Sequence, residues 1–324
     1  MHTSLNRREL LTSSAAAGVG LLAAGRLVAA PFKTTLRKAV IMHKVTEDGL
    51  KKLKDAGFEG VEAGTVPVDE AKKAREIAEK LGMRIHSVIQ GGAPGLRACQ
   101  AYGGDTLLLT TGGVGAKPMP EPWEFDVEFD DKTGHITRVV KGDNEKFKAY
   151  IEAHNRSMDG ARESVKRLIP IAEETKVVIA LENVWNNFCV RPELFKWLVA
   201  SFQSPWVRAY FDIGNHVKYS VVIKDGKPET VYAPEVWIRA FGPLLAKVHM
   251  KDYKVHADGK SGGFCGIGQG SVNWPAVRQA LEDVGYSGWI TDETGGAWPD
   301  LSKRFDLVIA GKDPAETGKR RERP

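Results

Sequence analysis

Cysteine is scarce. Cys99, Cys189 and Cys265 are the only three in 324 residues, they lie far apart, and none belongs to a CxxC pair. An odd, scattered set builds neither a disulfide framework nor a zinc ribbon. The three thiols read as packing residues, and any metal site must use other ligands. Long apolar runs are scarce too. Beyond the first thirty residues no stretch is apolar for long enough to cross a bilayer. Nor does one sign of charge dominate: 46 basic against 41 acidic residues leave a net charge of +5. Arg7, Arg8 and Arg26 against Glu9 account for two of these charges, so the chain after residue 30 carries about +3. Nucleic-acid binding calls for a concentrated basic stripe, and none is present. We expect no nucleic-acid partner. What remains is an ordinary globular composition, 42% hydrophobic and 27% charged. A single closed barrel of strand–helix units, about 250 residues plus insertions, can use this length.

Residues 1–30 carry the parts of an export signal. Arg7 and Arg8 make the charged region, Ala15 to Ala24 a short glycine-containing apolar run, and Val28-Ala29-Ala30 a small-residue cleavage site. The arginine pair followed by Leu10 and Leu11 resembles a twin-arginine signal, a route for proteins exported already folded. The expectation is a periplasmic protein with no membrane span after signal removal, and a mature domain over residues 31–324.

Strand and helix patterns alternate through that domain. Strands are expected at Lys38–Met42, Gly60–Gly64, Arg84–Ile89, Thr106–Thr111, Val177–Glu182, Val207–Asn215, Leu245–Tyr253 and Gly288–Thr294. Helical patterns fall between them, at Glu47–Ala56, Asp69–Leu81, Arg156–Thr175, Pro192–Ser201, Pro234–Phe241, Trp274–Val284 and Leu301–Ile309. Eight such units predict an α/β fold, a closed (β/α)8 TIM barrel. Two places break the rhythm. Only Leu96–Tyr102 can be helical between the third and fourth strands, so that side of the barrel is expected to be thinly covered. After the fourth strand comes a long insertion, about 115–150. In it Trp123–Val140 alternates, turns at DDKTG and alternates again, which predicts a β-hairpin at the active-site rim. It could serve as a wall or lid, as a homo-oligomer contact, or as surface ornament.

The chemistry concentrates at strand ends. The run Val177–Leu181 is continuously apolar, as a strand covered on both faces is, and then meets Glu182 and Asn183. A carboxylate there is unfavourable unless it is paired or holds a cation. Three later strands repeat the design: one ends in Asp212 and Asn215, one carries His249, Lys251 and Asp252, and one carries Asp292 and Glu293. Active sites of closed barrels lie at the carboxyl ends of the strands. Glu182, Asp212, His249 and Glu293 are therefore expected to form one divalent-metal site. Oxygen-rich ligation with one nitrogen suits Mn²⁺ or Mg²⁺. His43 and His86, placed at the ends of the first and third strands, could line the pocket or pack. Lys251 and Asp252 could meet substrate or pair at the rim. Trp185 and Trp298 could stack on a ring or merely pack. The glycines from Gly266 to Gly270 make a weak phosphate cradle, because no helix starts directly after them.

Together, LEN at Glu182, YFDIGN at Asp212, KVHMKDY at His249, GIGQGSVNWPAV and YSGWITDET at Glu293 resemble the sugar isomerase/epimerase family with a xylose isomerase-like barrel, which includes ketose 3-epimerases. The resemblance covers essentially everything after the signal. It implies one divalent metal (Mn²⁺, Mg²⁺ or Co²⁺) on Glu182, Asp212, His249 and Glu293. It also implies Glu182 and Glu293 as the acid–base pair and a small-molecule sugar as substrate. His86, Asn183, Trp185, Asn215, His216 and Lys251 are the candidate substrate contacts. Three features depart from the family. Gln269 stands where relatives often have a glutamate, Asn215 and then His216 where ketose epimerases often place a histidine, and the third unit is short. Two other readings share the barrel: a metal-dependent hydrolase or lyase, including the abasic-site endonuclease type, and a non-catalytic sugar-binding barrel.

Overall fold

The computed structural model describes residues 32–315; the export signal expected at residues 1–30 lies outside them. In chain order the described elements begin with β1 (Leu36–Met42), α1 (Glu47–Asp55), β2 (Gly60–Gly64), α2 (Val68–Lys80), β3 (Arg84–Ile89), α3 (Gly92–Tyr102) and β4 (Thr106–Thr110). An insertion with a short ribbon, β5 (Glu128–Phe129) and β6 (Ile136–Arg138), leads into α4 (Lys148–Thr175), β7 (Val178–Glu182), α5 (Pro192–Ala200) and β8 (Val207–Asp212). A ribbon of β9 (Val221–Lys224) and β10 (Lys227–Thr230) precedes α6 (Pro234–Phe241) and β11 (Leu245–Met250). A further ribbon, β12 (Asp252–Val255) and β13 (Gly262–Cys265), precedes α7 (Trp274–Asp283), β14 (Gly288–Asp292) and α8 (Trp298–Ile309).

Eight of these strands close into a barrel in the order β1-β14-β11-β8-β7-β4-β3-β2. Its pairings are parallel, and β1 joins both β2 and β14. The expected (β/α)8 barrel is thus the fold. Side chains alternate along each strand, one set facing the helices and the other the barrel axis. In β7, Ile179 and Leu181 join the core beneath the helices, while Ala180 packs with Leu108 and Tyr210 in a separate small cluster. Glu182 follows Ala180 by two and Asp212 follows Tyr210 by two, so both share the axial face. In β11, Val248 and Met250 belong to the helix-facing core, which turns His249 inward.

Local signals explain the helices. Thr46 caps α1 by accepting from the Gly49 amide at 3.2 Å, Glu47 and Asp48 occupy its first turn, and Leu50 and Leu53 are buried. Such a cap contributes about 1 kcal/mol. Pro192, Pro234 and Pro299 stand in the first turns of α5, α6 and α8, where a missing amide hydrogen loses nothing.

Two expectations need correction. Helix α3 runs for 11 residues from Gly92, with Pro94 in its first turn, and buries Leu96, Ala98, Cys99 and Tyr102. The barrel is therefore covered on that side. The short segment tolerates Pro94 and Gly95 because the first turn needs few internal bonds, and Gly95 lets the helix sit on Leu107 and the Gln90 carbonyl. The insertion also differs. Only β5 and β6 pair within it, a ribbon much shorter than Trp123–Val140, and they lie against α4 and α5. Trp197 of α5 donates its indole N–H to the Asp131 carbonyl at 2.7 Å and packs edge-on to Phe129, while Asn155 of α4 holds the backbone of Ile136. That apolar and hydrogen-bonded docking ties the ribbon to the helix layer. No described helix is long and apolar enough to cross a membrane.

Candidate metal centre

At the carboxyl ends of β7, β8, β11 and β14 four side chains converge. Glu182, Asp212, His249 and Glu293 each present a ligand atom, and these atoms all lie within 4.8 Å of one another. His249 Nδ1 is 3.2 Å from Glu182 Oε1 and 2.9 Å from Glu293 Oε2. Lys251 Nζ is 2.9 Å from Glu293 Oε1 and 3.3 Å from Asp212 Oδ2. Asp212 and His249 are fully buried, Glu182 nearly so, and Glu293 is partly open.

This set fits a hard divalent cation. It offers three carboxylates and one imidazole, the donors that Mn²⁺ and Mg²⁺ favour. Asp212 Oδ2 and Glu293 Oε2 are buried, and only the cationic groups of Lys251 and His249 face them. The electrostatics agree. Burial raises the Glu182 carboxyl above its ordinary range, the charges of Glu293 and Glu62 add to this, and His249 opposes it. Burial also raises Asp212, against the pull of Lys251. For Glu293 burial acts upward too, but hydrogen bonding and charge from His249, with Asp212 and Lys251, bring it well below the usual range. Burial would depress the His249 imidazole, yet Glu62, Glu182 and Glu293 together hold it well above its ordinary value. A field that favours a proton at Nδ1 also favours a metal cation there.

Behind the imidazole stands a residue that sequence reasoning missed. Glu62, fully buried on β2, accepts from His249 Nε2 at 2.6 Å. Ser87 Oγ donates to the other Glu62 oxygen at 2.7 Å and lies 2.9 Å from His86 Nδ1, while Thr291 Oγ1 lies 3.1 Å from His86 Nε2. One proton order satisfies the whole chain. Thr291 donates to His86, His86 to Ser87, Ser87 to Glu62, and His249 to Glu62, leaving the His249 Nδ1 lone pair facing the three acids. A carboxylate behind a ligating imidazole orients the ring and makes it more basic. The signal for Glu62 was present in GVEAG, a lone acid between Val61 and Ala63 in an otherwise apolar strand, but no ligand pattern drew attention to it.

The remaining sequence candidates take varied places. His86 lies mid-strand, not at the end of β3. It is buried, it stacks on Trp289 at 4.6 Å, and both ring nitrogens are engaged as described. Burial holds it well below its ordinary pKa, so it is neutral. Asn183 braces β7 to β8, donating to the Asp212 carbonyl at 2.8 Å and accepting the Asp212 amide at 2.7 Å. Asn215 donates its side-chain N–H to the Asn183 carbonyl and accepts from Lys251 at 3.3 Å. His216 is buried next to Asn183 Nδ2 and against Trp237, with its pKa lowered to about 3 by burial. Lys251 thus sits in the centre itself, and Trp185 on its rim, its indole N–H donating to the Asn215 carbonyl. Asp292, the neighbour that could have faced inward, instead accepts from Thr294 and the Gly295 amide in a tight turn. The Gly266–Gly270 loop does cradle an anion, but it is Asp252. That carboxylate accepts from the amides of Gly268, Gly270 and Val272 and from the Trp274 indole.

A family model described as xylose isomerase-like TIM barrel matches residues 50–304, and the chain belongs to that family. No curated protein matches it. Among solved structures, a D-tagatose 3-epimerase-like protein is 15% identical, with 84% of this chain and 96% of that one covered at a TM-score of 0.59. A 3-keto-D-glucoside 4-epimerase from E. coli is 13% identical over 85% and 98%, at 0.57. A xylose isomerase-like barrel from Mycobacterium smegmatis, solved with magnesium, is 14% identical over 86% and 96%, at 0.56. Likenesses at this level of identity establish the fold.

Proposed function

We propose that the protein is a divalent-metal-dependent sugar epimerase or isomerase that acts on a ketose or keto-sugar by proton transfer. The observation that carries this reading is the convergence of Glu182, Asp212, His249 and Glu293 at the carboxyl face of the barrel. The similarity to a D-tagatose 3-epimerase-like protein and to a 3-keto-D-glucoside 4-epimerase lends it support.

A divalent cation at this centre supplies a Lewis acid for negative charge on a substrate carbonyl oxygen. Asp212 and His249 are assigned as ligands only. Glu182 and Glu293 reach the centre from strands three apart around the ring, with His249 between them. A substrate carbon held there meets a carboxylate on each face. One removes the proton next to the carbonyl and the other returns a proton from the opposite side. Each transfer contributes about 10² to 10⁴ in rate. Return to the same carbon inverts it; return to the neighbouring carbon interconverts aldose and ketose. Lys251, beside Glu293 and Asp212, is placed to donate to a substrate oxygen. The arginine pair in residues 1–30 adds export to the proposal. Fractionating cells that carry Arg7→Lys and Arg8→Lys should show loss of the periplasmic form.

The test is deuterium uptake from solvent into a panel of ketoses and keto-glycosides at saturating Mn²⁺, read by NMR. We expect exchange beside the carbonyl, reduced at least ~100-fold in Glu182→Gln and in Glu293→Gln. No exchange with any sugar would favour the hydrolase, lyase or non-catalytic readings. A bound-metal count above one would favour the endonuclease type.

A further inference from the structure

Among the described residues, two aromatic side chains are exposed, Trp185 at 40% and Phe264 at 47%. They stack on each other, with ring centroids 4.5 Å apart and planes 27° from parallel. Exposing apolar ring surface to water is unfavourable, and contiguous exposed apolar surface is a feature of ligand-binding grooves and interaction sites. The patch is also built rigidly. Tyr253, buried, stands edge-on to both rings at 5.4 and 5.5 Å. It faces Phe264 directly across the β12–β13 ribbon. The Trp185 indole is tied to the Asn215 carbonyl.

The patch is continuous with the metal centre. Trp185 follows Glu182 by three residues, and the ribbon leaves β11 just after His249. Lys251 joins the two places, its Nζ lying 4.9 Å from the Phe264 ring centre and 2.9 Å from Glu293 Oε1. A second ammonium, Lys218 Nζ, lies 3.8 Å over the Trp185 ring. Phe264 and Lys218 thus sandwich the indole, and the exposed ring surface that remains, chiefly on Phe264, is bordered by N–H donors and matches one chemistry well. A pyranose offers an apolar C–H face to the aromatic surface and a girdle of hydroxyls to the donors.

We infer that Trp185 and Phe264, buttressed by Tyr253 and bordered by Lys218 and Lys251, form a subsite for a second sugar ring, so that the substrate is a glycoside and not a free monosaccharide. The inference rests on the proposed sugar chemistry for which ring reacts, but binding alone tests it. The reacting ring occupies the metal centre, and the ring attached to it lies on the aromatic patch.

Full-length, Mn²⁺-loaded protein should be titrated calorimetrically with methyl glucoside, methyl galactoside, cellobiose, maltose and lactose. We expect at least one disaccharide to bind about tenfold more tightly than its methyl glycoside, the advantage an aromatic stacking contact provides. Phe264→Ala and Phe264→Leu should abolish that advantage, and Phe264→Tyr should keep it. Circular dichroism of each variant separates loss of the ring from loss of the fold. No advantage for any disaccharide, or an advantage unchanged in both Phe264→Ala and Phe264→Leu, overturns the inference. A protein that shows the advantage yet exchanges no sugar proton refutes the proposed reaction and leaves the subsite standing. Proton exchange without the advantage does the reverse.

Discussion

Glu62 Oε2 lies 2.6 Å from His249 Nε2, and both groups are fully buried. The pair holds one face of the candidate metal centre, because the imidazole can aim Nδ1 at the acids only while Nε2 keeps its proton toward Glu62. Glu62→Gln preserves the shape and removes the charge. It should weaken Mn²⁺ binding by about 10- to 100-fold, measured by calorimetric titration, with the far-ultraviolet circular dichroism spectrum unchanged. Ser87→Ala, which removes the donor to the other Glu62 oxygen, should act in the same direction and more weakly. Unchanged affinity in Glu62→Gln would refute the orienting role.

Metal binding should also register as stability. A cation that binds only the folded state at 100 times its dissociation constant contributes about 2.7 kcal/mol, or about 5 °C for a domain of this size. We expect Mn²⁺ to raise the melting temperature of the chelator-treated protein by that order, and Asp212→Ala to remove the rise. A rise that survives in Asp212→Ala, His249→Ala and Glu293→Ala alike would place the cation elsewhere.

The barrel strands were legible because a parallel barrel writes them as short apolar runs at regular spacing, and β2 and β3 fall where the pattern set them. Glu182 and Asp212 were legible as polar endings to such runs. Other features were hidden for physical reasons. The β9–β10 ribbon turns on Asp225-Gly226, both at positive φ, a strong hairpin signal. Its second strand, KPET, is wholly exposed and shows no alternation. The β12–β13 ribbon is rich in glycine, so it lacks the side chains from which a strand is read. Glu62 and Ser87 act on each other and on His249 across three strands, and no local spacing encodes that. His86 was read as a strand end although the expected strand already ran on to Ile89, three residues beyond it.

Acid should destabilise the fold through a buried histidine outside the candidate metal centre. His154 on α4 accepts the Cys189 amide at 3.3 Å, and burial brings its pKa down to about 4 from an ordinary 6.5, with Asn155 opposing and His135 assisting. The folded form therefore binds fewer protons than the unfolded chain between these values. Its contribution is complete above pH 6.5 and is lost as pH falls toward 4, amounting to about 3 kcal/mol. His216, brought to about 3, has the same sign. Urea midpoints from pH 7 to pH 4 should fall, and His154→Gln should flatten the slope. An identical slope in that variant would rule His154 out.

The Gly266–Gly270 loop makes the most local prediction. Asp252 is fully buried at the start of β12, just after the strand that carries His249. It tolerates burial because backbone amides and the Trp274 indole surround both its oxygens. The amides can come this close only where no side chain intervenes. A Cβ built on Gly270 would stand 2.0 Å from Asp252 Oδ1 and 2.8 Å from the Tyr253 carbonyl. Neither neighbour can withdraw, since one is the anchored carboxylate and the other is backbone. Gly270→Ala must therefore displace the loop or break the cradle, and it should destabilise the fold by about 1 to 3 kcal/mol. Gly263→Ala, on the same stretch of chain but with open space around its Cβ, should be nearly neutral. Urea unfolding of the two variants side by side gives the comparison. Equal stabilities would mean that Asp252 is not held by close backbone approach, and that the glycines of this loop serve another end.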